Sequence, residues 1–375
     1  GEMMRMVISH EVGHALGLPH NMAASYAYPI DSLRSGKFTQ EFGIAASIMD
    51  YARFNYIAQP GDENIRFIRQ LGPYDHYSIN WGYRKIPNIK SSEQEIKTLD
   101  KWIDNKANNP IYRFGNQRFD PSSQTEGIGN NQVQASTYGI KNLKIVAKNL
   151  ENWTSNQTNN YEDLSELYGE LLSVWSRYVG HVAGNIGGVY EYNKKPAQNG
   201  AIYNSVTKEK QKKSMVWLQE NAFKTQNWLL DKTILSNIDE SGYSARMLRL
   251  QNRQLYSLLS SSRLERMIDT EIIHPDTYST LEMVRDLRTG IFSEANYIKN
   301  VAVFRRNLQK SLIARMAMLL NSKEGKNSDI NSIIRGEFQV LYFQLTIAQN
   351  RRVNKITKYH YRDCLAEIKN ILNPK

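Results

Sequence analysis

Residues 10–20 read His-Glu-Val-Gly-His-Ala-Leu-Gly-Leu-Pro-His. Three imidazoles, a carboxylate and a glycine fall at His10, Glu11, His14, Gly17 and His20, the pattern H-E-x-x-H-x-x-G-x-x-H. At ordinary residue frequencies this arises by chance at roughly a few in a hundred million positions, which sets aside an amphipathic helix with scattered histidines. His10 and His14 lie four apart, so on a helix both rings leave one face, a turn from each other. Two imidazoles so placed can share a tetrahedral Zn²⁺ at about 2.0–2.1 Å each. Glu11 is the next residue round and flanks the ion without ligating it, the place for a general base acting on water. The third ligand, His20, has to come from chain that has left the helix. Gly17 enters left-handed backbone space without steric cost, and Pro19 cannot continue a helix. Three protein ligands leave the fourth position to water, the arrangement of a catalytic zinc site. The chemistry that follows is metal-assisted hydrolysis, with a peptide bond as the expected substrate.

This stretch resembles the metzincin clan of zinc peptidases, whose signature is the same eleven-residue pattern followed by a methionine-containing turn. Ser47-Ile48-Met49-Asp50-Tyr51 supplies a candidate turn, with Met49 twenty-nine residues past His20. The resemblance implies that Met49 forms a soft, apolar floor under the metal. Tyr51 matches the tyrosine that astacin-like and serralysin-like metzincins bring to the zinc. By that analogy its phenol ligates the resting metal or donates to the developing oxyanion; a buried core tyrosine is the other reading. More narrowly, the chain is similar to a bacterial family of large exported zinc-dependent metalloproteases with Met-zincin domains. The likeness is densest over residues 3–85, at Ile8 to Met22, Ser47 to Tyr56, Leu71 to Asp75 and Ile79 to Tyr83. It implies a periplasmic, cell-surface or secreted location. Metzincins also place a twisted sheet before the metal-binding helix, and its edge strand holds the substrate. Only nine residues precede His10 here. The chain is therefore expected to be the C-terminal portion of a longer protein, to need that N-terminal part as a partner, and alone to cleave peptides weakly if at all.

The elements that must position these residues can be read in outline. With 375 residues, 41% hydrophobic and 23% charged, the chain has the composition of a globular protein of two or three domains. No apolar run reaches the length of a membrane span. The net charge of +11 is dispersed, and no nucleic-acid motif accompanies it, so a solvated basic surface is expected rather than a nucleic-acid partner. The dense basic runs, Lys208-Lys210-Lys212-Lys213 and Arg351-Arg352 with Lys355 and Lys358, have helical spacing. Cys364 is the sole cysteine, so no intrachain disulfide forms, and it falls in an apolar helical stripe.

The expected fold is mainly α: the C-terminal part of a metzincin catalytic domain over 1–86, a mostly helical connecting region over 87–205, and a helical bundle over 206–375, with at most a small β-hairpin. Pro73 opens a helix that would bury Ile79, Trp81 and Tyr83 beneath the metal. His76 lies on that helix with nothing tying it to the zinc. Asp50 and Asp75 are the acids placed in sequence to orient the ligand imidazoles, and the sequence does not choose between them. Ser92-Glu93-Gln94-Glu95 fits a capping box. Pro110 to Phe114 reads as a short strand and 115–131 as a polar loop. That loop holds Asp120, Glu126, Asn130 and Asn131 in no calcium-loop spacing. Asn152 and Asn156 lie in Asn-x-Thr contexts that turn chemistry explains. Leu164, Leu167, Tyr168, Leu171, Trp175, Tyr178, Val179 and Val182 make the clearest helical stripe, with His181 beside it. Asn199-Gly200 lies between two alternating runs and suggests the hairpin. Turn signals at Asp239 to Gly242, Pro275 and Gly325 separate the later helices.

Two classes of function compete. In the first, His10, His14 and His20 bind Zn²⁺ and Glu11 activates water in an endopeptidase acting on a protein or peptide. In the second, a helical module binds protein or glycan without catalysis and the metal braces it. The intact Glu11 favours the first, since a bracing site needs no base.

Overall fold

A computed structural model describes residues 1–116, 119–155, 160–196, 198–322 and 328–374. The sequon-like Asn156 and the Gly325 turn lie outside them. The chain divides into two compact units, Gly1–Asn142 with Gly188–Asn204, and Leu143–Gly187 with Ser205–Lys375. The stretch expected to connect, 87–205, is shared between the two. Mainly helical architecture with one two-stranded antiparallel hairpin is what the sequence predicted.

The first unit carries α1 (Glu2–Ala15), α2 (Gly36–Phe42), α3 (Pro73–Tyr83), α4 (Ser92–Asp104) and the start of α5 (Gln132–Thr154). Its core is built from loop as much as helix: Ala24, Tyr28, Ile30, Leu33, Ile44, Ala46, Ala52, Ile57 and Ile128 pack together with Ala135 of α5. Long irregular stretches survive burial because their backbone groups find specific partners. Asn55 Nδ2 donates to the Leu33 carbonyl at 2.7 Å, and Gln59 and Asn142 bond the backbone around Ala58. Arg34 and Asp62 form a bidentate pair at 2.9 and 2.7 Å, closing the turn that Gly61 makes at φ +95°. The hairpin strands β1 (Val189–Glu191) and β2 (Tyr203–Ser205) join this unit through Arg113. That guanidinium binds Asp120 and Ser122, donates to the Glu191 carbonyl, and lies over the Tyr192 ring. Asp120 is thus paired with Arg113, and Glu126 with Arg53.

Three expectations fail locally. Pro110–Tyr112 forms a 3-10 turn and no strand, because Asn109 caps the Ile111 N–H and proline takes the first helical position. The cap of α4 is Ser91, one residue early, with Gln94 reaching back to the Lys90 N–H. Trp81 and Tyr83 are 40% and 62% exposed. The reason is that α3 docks by its N-terminus: Asp75 is its one buried residue, and a Cβ on Gly72 would lie 2.2 Å from the Ala46 carbonyl oxygen. From the far end of the helix the Tyr83 hydroxyl reaches back, donating to the Leu16 carbonyl at 2.9 Å.

The second unit is a bundle of α6 (Glu162–Ala183), α7 (Lys208–Leu218), α8 (Lys232–Ile238), α9 (Tyr243–Leu258), α10 (Ser261–Ile273), α11 (Thr280–Ile291), α12 (Ser293–Tyr297), α13 (Val303–Asn321), α14 (Asp329–Ala348) and α15 (Lys355–Leu372). The helix α14 packs on α11, α13 and α15, and α9 on α6 and α13. The α6 stripe is buried as expected except at Leu167, and His181 is buried beside it. Lys208 and Lys212 both pair with Glu282, and Lys213 with Glu209, so much of that basic run is neutralised. Cys364 is fully buried, and burial pushes its thiol up to about 12. Among the described residues no helix is long and apolar enough to cross a membrane.

Candidate metal centre

The helix α1 ends as its glycine dictates. Gly17 sits at φ +82°, its N–H bonds the His14 carbonyl at 2.9 Å, and the Leu18 N–H reaches the Gly13 carbonyl at 3.0 Å. These are the paired bonds of a Schellman cap. The turn brings the Leu18 carbonyl 2.9 Å from His14 Nδ1. Across the site, the Ile48 carbonyl lies 2.9 Å from His10 Nδ1. A carbonyl only accepts, so each Nδ1 carries the proton and each Nε2 keeps its lone pair.

His20 then returns to the same point. Its Nε2 lies 2.9 Å from that of His14, and ligand atoms of His10, His14 and His20 all fall within 4.8 Å of one another. An ion held at 2.0–2.1 Å with tetrahedral angles sets its donors about 3.3 Å apart. The triad brackets that spacing with three nitrogens, a donor set that suits zinc. Burial and the two neighbouring imidazoles push the His20 pKa down, with the nearby Glu11 carboxylate opposing. A neutral imidazole is the form that binds a cation. Glu11 is exposed on α1. The Tyr51 ring lies 4.3 Å from that of His20 and 5.6 Å from that of His10, between centroids. It is 37% exposed, so it is no core tyrosine.

Met49 is fully buried, and its sulfur fills the space a side chain at residue 13 would take: a Cβ on Gly13 would lie 2.3 Å from Met49 Sδ. Met49 is therefore seated against α1 at Gly13, which lies between His10 and His14 in sequence. The sequence pattern leaves that helical glycine unexplained. A hydrogen-bond lattice holds the turn. Asp75 accepts from Ser47 Oγ at 2.6 Å and from the N–H groups of Ile48 and Gly72 at 2.8 Å each. Asp50 accepts from the N–H groups of Ser25 and Ala52 at 2.7 Å. Both acids thus serve the backbone around the Met-containing turn, while Nδ1 of His10 and of His14 faces the Ile48 and Leu18 carbonyls. Desolvation pushes both carboxyls up, Asp50 to about 7, against those N–H donors. Asn21, directly after His20, donates its N–H to the Met49 carbonyl at 3.1 Å, and its side chain bridges Arg113 and Gly115. Arg69 donates to the Ile48 carbonyl at 2.6 Å. Asn21 and Arg69 were not legible as part of the site, because neither type at that spacing signals a metal.

No curated protein and no solved structure matched this chain. A family model described as Met-zincin matches residues 1–298, which takes in the triad, Met49 and Tyr51. With that match spanning well over half its length, the chain belongs to the Met-zincin family, whose description carries the same methionine and zinc that the site's geometry suggests.

Proposed function

We propose that this protein is a zinc-dependent endopeptidase that hydrolyses peptide bonds with Glu11 as general base. The observation that carries the reading is the donor set: three imidazoles converge within 4.8 Å, and two have Nδ1 committed to carbonyls. His10, His14 and His20 would hold the ion. A zinc ion held there would supply Lewis acidity and lower the pKa of water enough to give a nucleophile at neutral pH. Glu11 takes a proton from the attacking water and delivers it to the leaving amine nitrogen, so one water is consumed per bond broken. The Tyr51 phenol, beside His20, donates to the oxyanion of the tetrahedral species. The family resemblance adds an exported location, which fractionation of the native cell would test.

Glu11→Gln in the full-length gene product is the test. Zinc content should stay at the wild-type level while cleavage of a quenched peptide library falls at least about 100-fold. Equal turnover by the two proteins refutes the mechanism.

A further inference from the structure

Arg69 is a buried cation beside the first imidazole, 7% exposed, at the end of the irregular chain that precedes α3. Its Nη1 donates to the Ile48 carbonyl at 2.6 Å, and the same nitrogen lies 3.4 Å from His10 Nδ1. The carbonyl, the imidazole nitrogen and the guanidinium nitrogen make one compact triangle. A carbonyl oxygen has two lone pairs and accepts from both donors at once. Were the His10 proton on Nε2, the Nδ1 lone pair would face that oxygen at 2.9 Å, lone pair against lone pair. Residue 48 is held from the other side too, since its N–H is bound by Asp75.

We propose that Arg69 is a positioning residue for the metal centre: its guanidinium fixes the Ile48 carbonyl, and that carbonyl fixes the ring and tautomer of His10. The inference rests on the reading of His10 as a ligand. Burying a guanidinium is costly unless its protons are used. Burial pushes the Arg69 pKa down, with the Asp50 and Asp75 carboxylates and the Tyr51 phenol opposing. Its Nη1 is nevertheless spent on a neutral main-chain oxygen, and its Nε on no hydrogen bond. An arginine kept only for charge balance would turn its fork to a carboxylate. This one is turned to the atom that orients a ligand.

The test measures zinc affinity of the folded protein by competition with a chromophoric chelator, alongside imidazole ¹⁵N–¹H spectra of the metal-free protein. Arg69→Met should weaken zinc binding about tenfold, the lower end for loss of a group that orients a ligand. Arg69→Lys keeps a charge and one donor, and should recover to within about threefold of wild type. In wild type the His10 proton should sit on Nδ1; in Arg69→Met it should divide between the two nitrogens. Wild-type affinity in folded Arg69→Met overturns the proposal while leaving the metal reading intact. A wild-type protein that binds no zinc instead removes the metal reading itself. Should Arg69→Met not fold, the wild-type spectrum decides, and a proton on His10 Nε2 overturns the proposal.

Discussion

Replacing Gly13 by alanine sets two opposed effects against each other on the helix that carries the site. In a helix with open surroundings the change would stabilise by about 1 kcal/mol, the propensity difference between the two residues. Here the new Cβ would lie 2.3 Å from Met49 Sδ and 3.3 Å from its Cε. Ordinary contact lies at about 3.5–4.0 Å, so the sulfur would have to retreat by roughly 1.5 Å. Met49 is fully buried and has no solvent to retreat into. Overpacking of this kind costs about 1–3 kcal/mol, which outweighs the propensity gain and leaves a net loss of about 1 kcal/mol. The assay is urea denaturation of Gly13→Ala, Met49→Ala and the double variant. Met49→Ala alone should cost about 2–5 kcal/mol. In the Gly13→Ala background it should cost less by about 1–3 kcal/mol, because truncation also relieves the clash. A stabilised Gly13→Ala with an additive double variant would refute the seating of Met49 on α1.

Two further perturbations probe the frame. Asp75→Ala strips acceptors from Ser47 Oγ and from the Ile48 and Gly72 N–H groups; with each buried donor so orphaned costing about 1–3 kcal/mol, a stability loss under 1 kcal/mol by denaturation would contradict its role. In the bundle, burial holds the His360 imidazole down at about 4, with Lys310 and Arg306 adding to the effect and Asp363 opposing. The unfolded chain takes up that proton near 6.5, so the contribution is whole above pH 6.5 and is lost as pH falls toward 4, up to about 3 kcal/mol. Denaturation midpoints from pH 7 to 4 should show this fall, and His360→Gln should flatten it.

How much was legible beforehand follows from where each signal lives. The triad and the helix end were legible because 3.6-residue periodicity and a left-handed glycine are local, and local geometry is written in a few adjacent residues. Met49 was legible only through its likeness to a known turn. The tasks of Asp50 and Asp75 were not: a carboxylate near imidazoles in sequence looks like their partner, yet both bind main-chain N–H groups of irregular segments, and those segments have no periodicity to announce them. Trp81 and Tyr83 misled for a related reason. An apolar stripe says that a helix has a face, not that its neighbour extends far enough to cover it, and α3 is anchored at Asp75 with its far end open. Arg69 was invisible because its target is a carbonyl, which every residue possesses.

The groups that aim His10 and His14 are main-chain oxygens, and main-chain oxygens have no codon of their own. A saturation scan would flag the three histidines, and at Ile48 it would report the loss of a buried side chain and say nothing of the carbonyl. Damage to the imidazole geometry would come instead from insertions and deletions that move the Leu18 and Ile48 peptide units, a class of lesion that substitution maps do not sample.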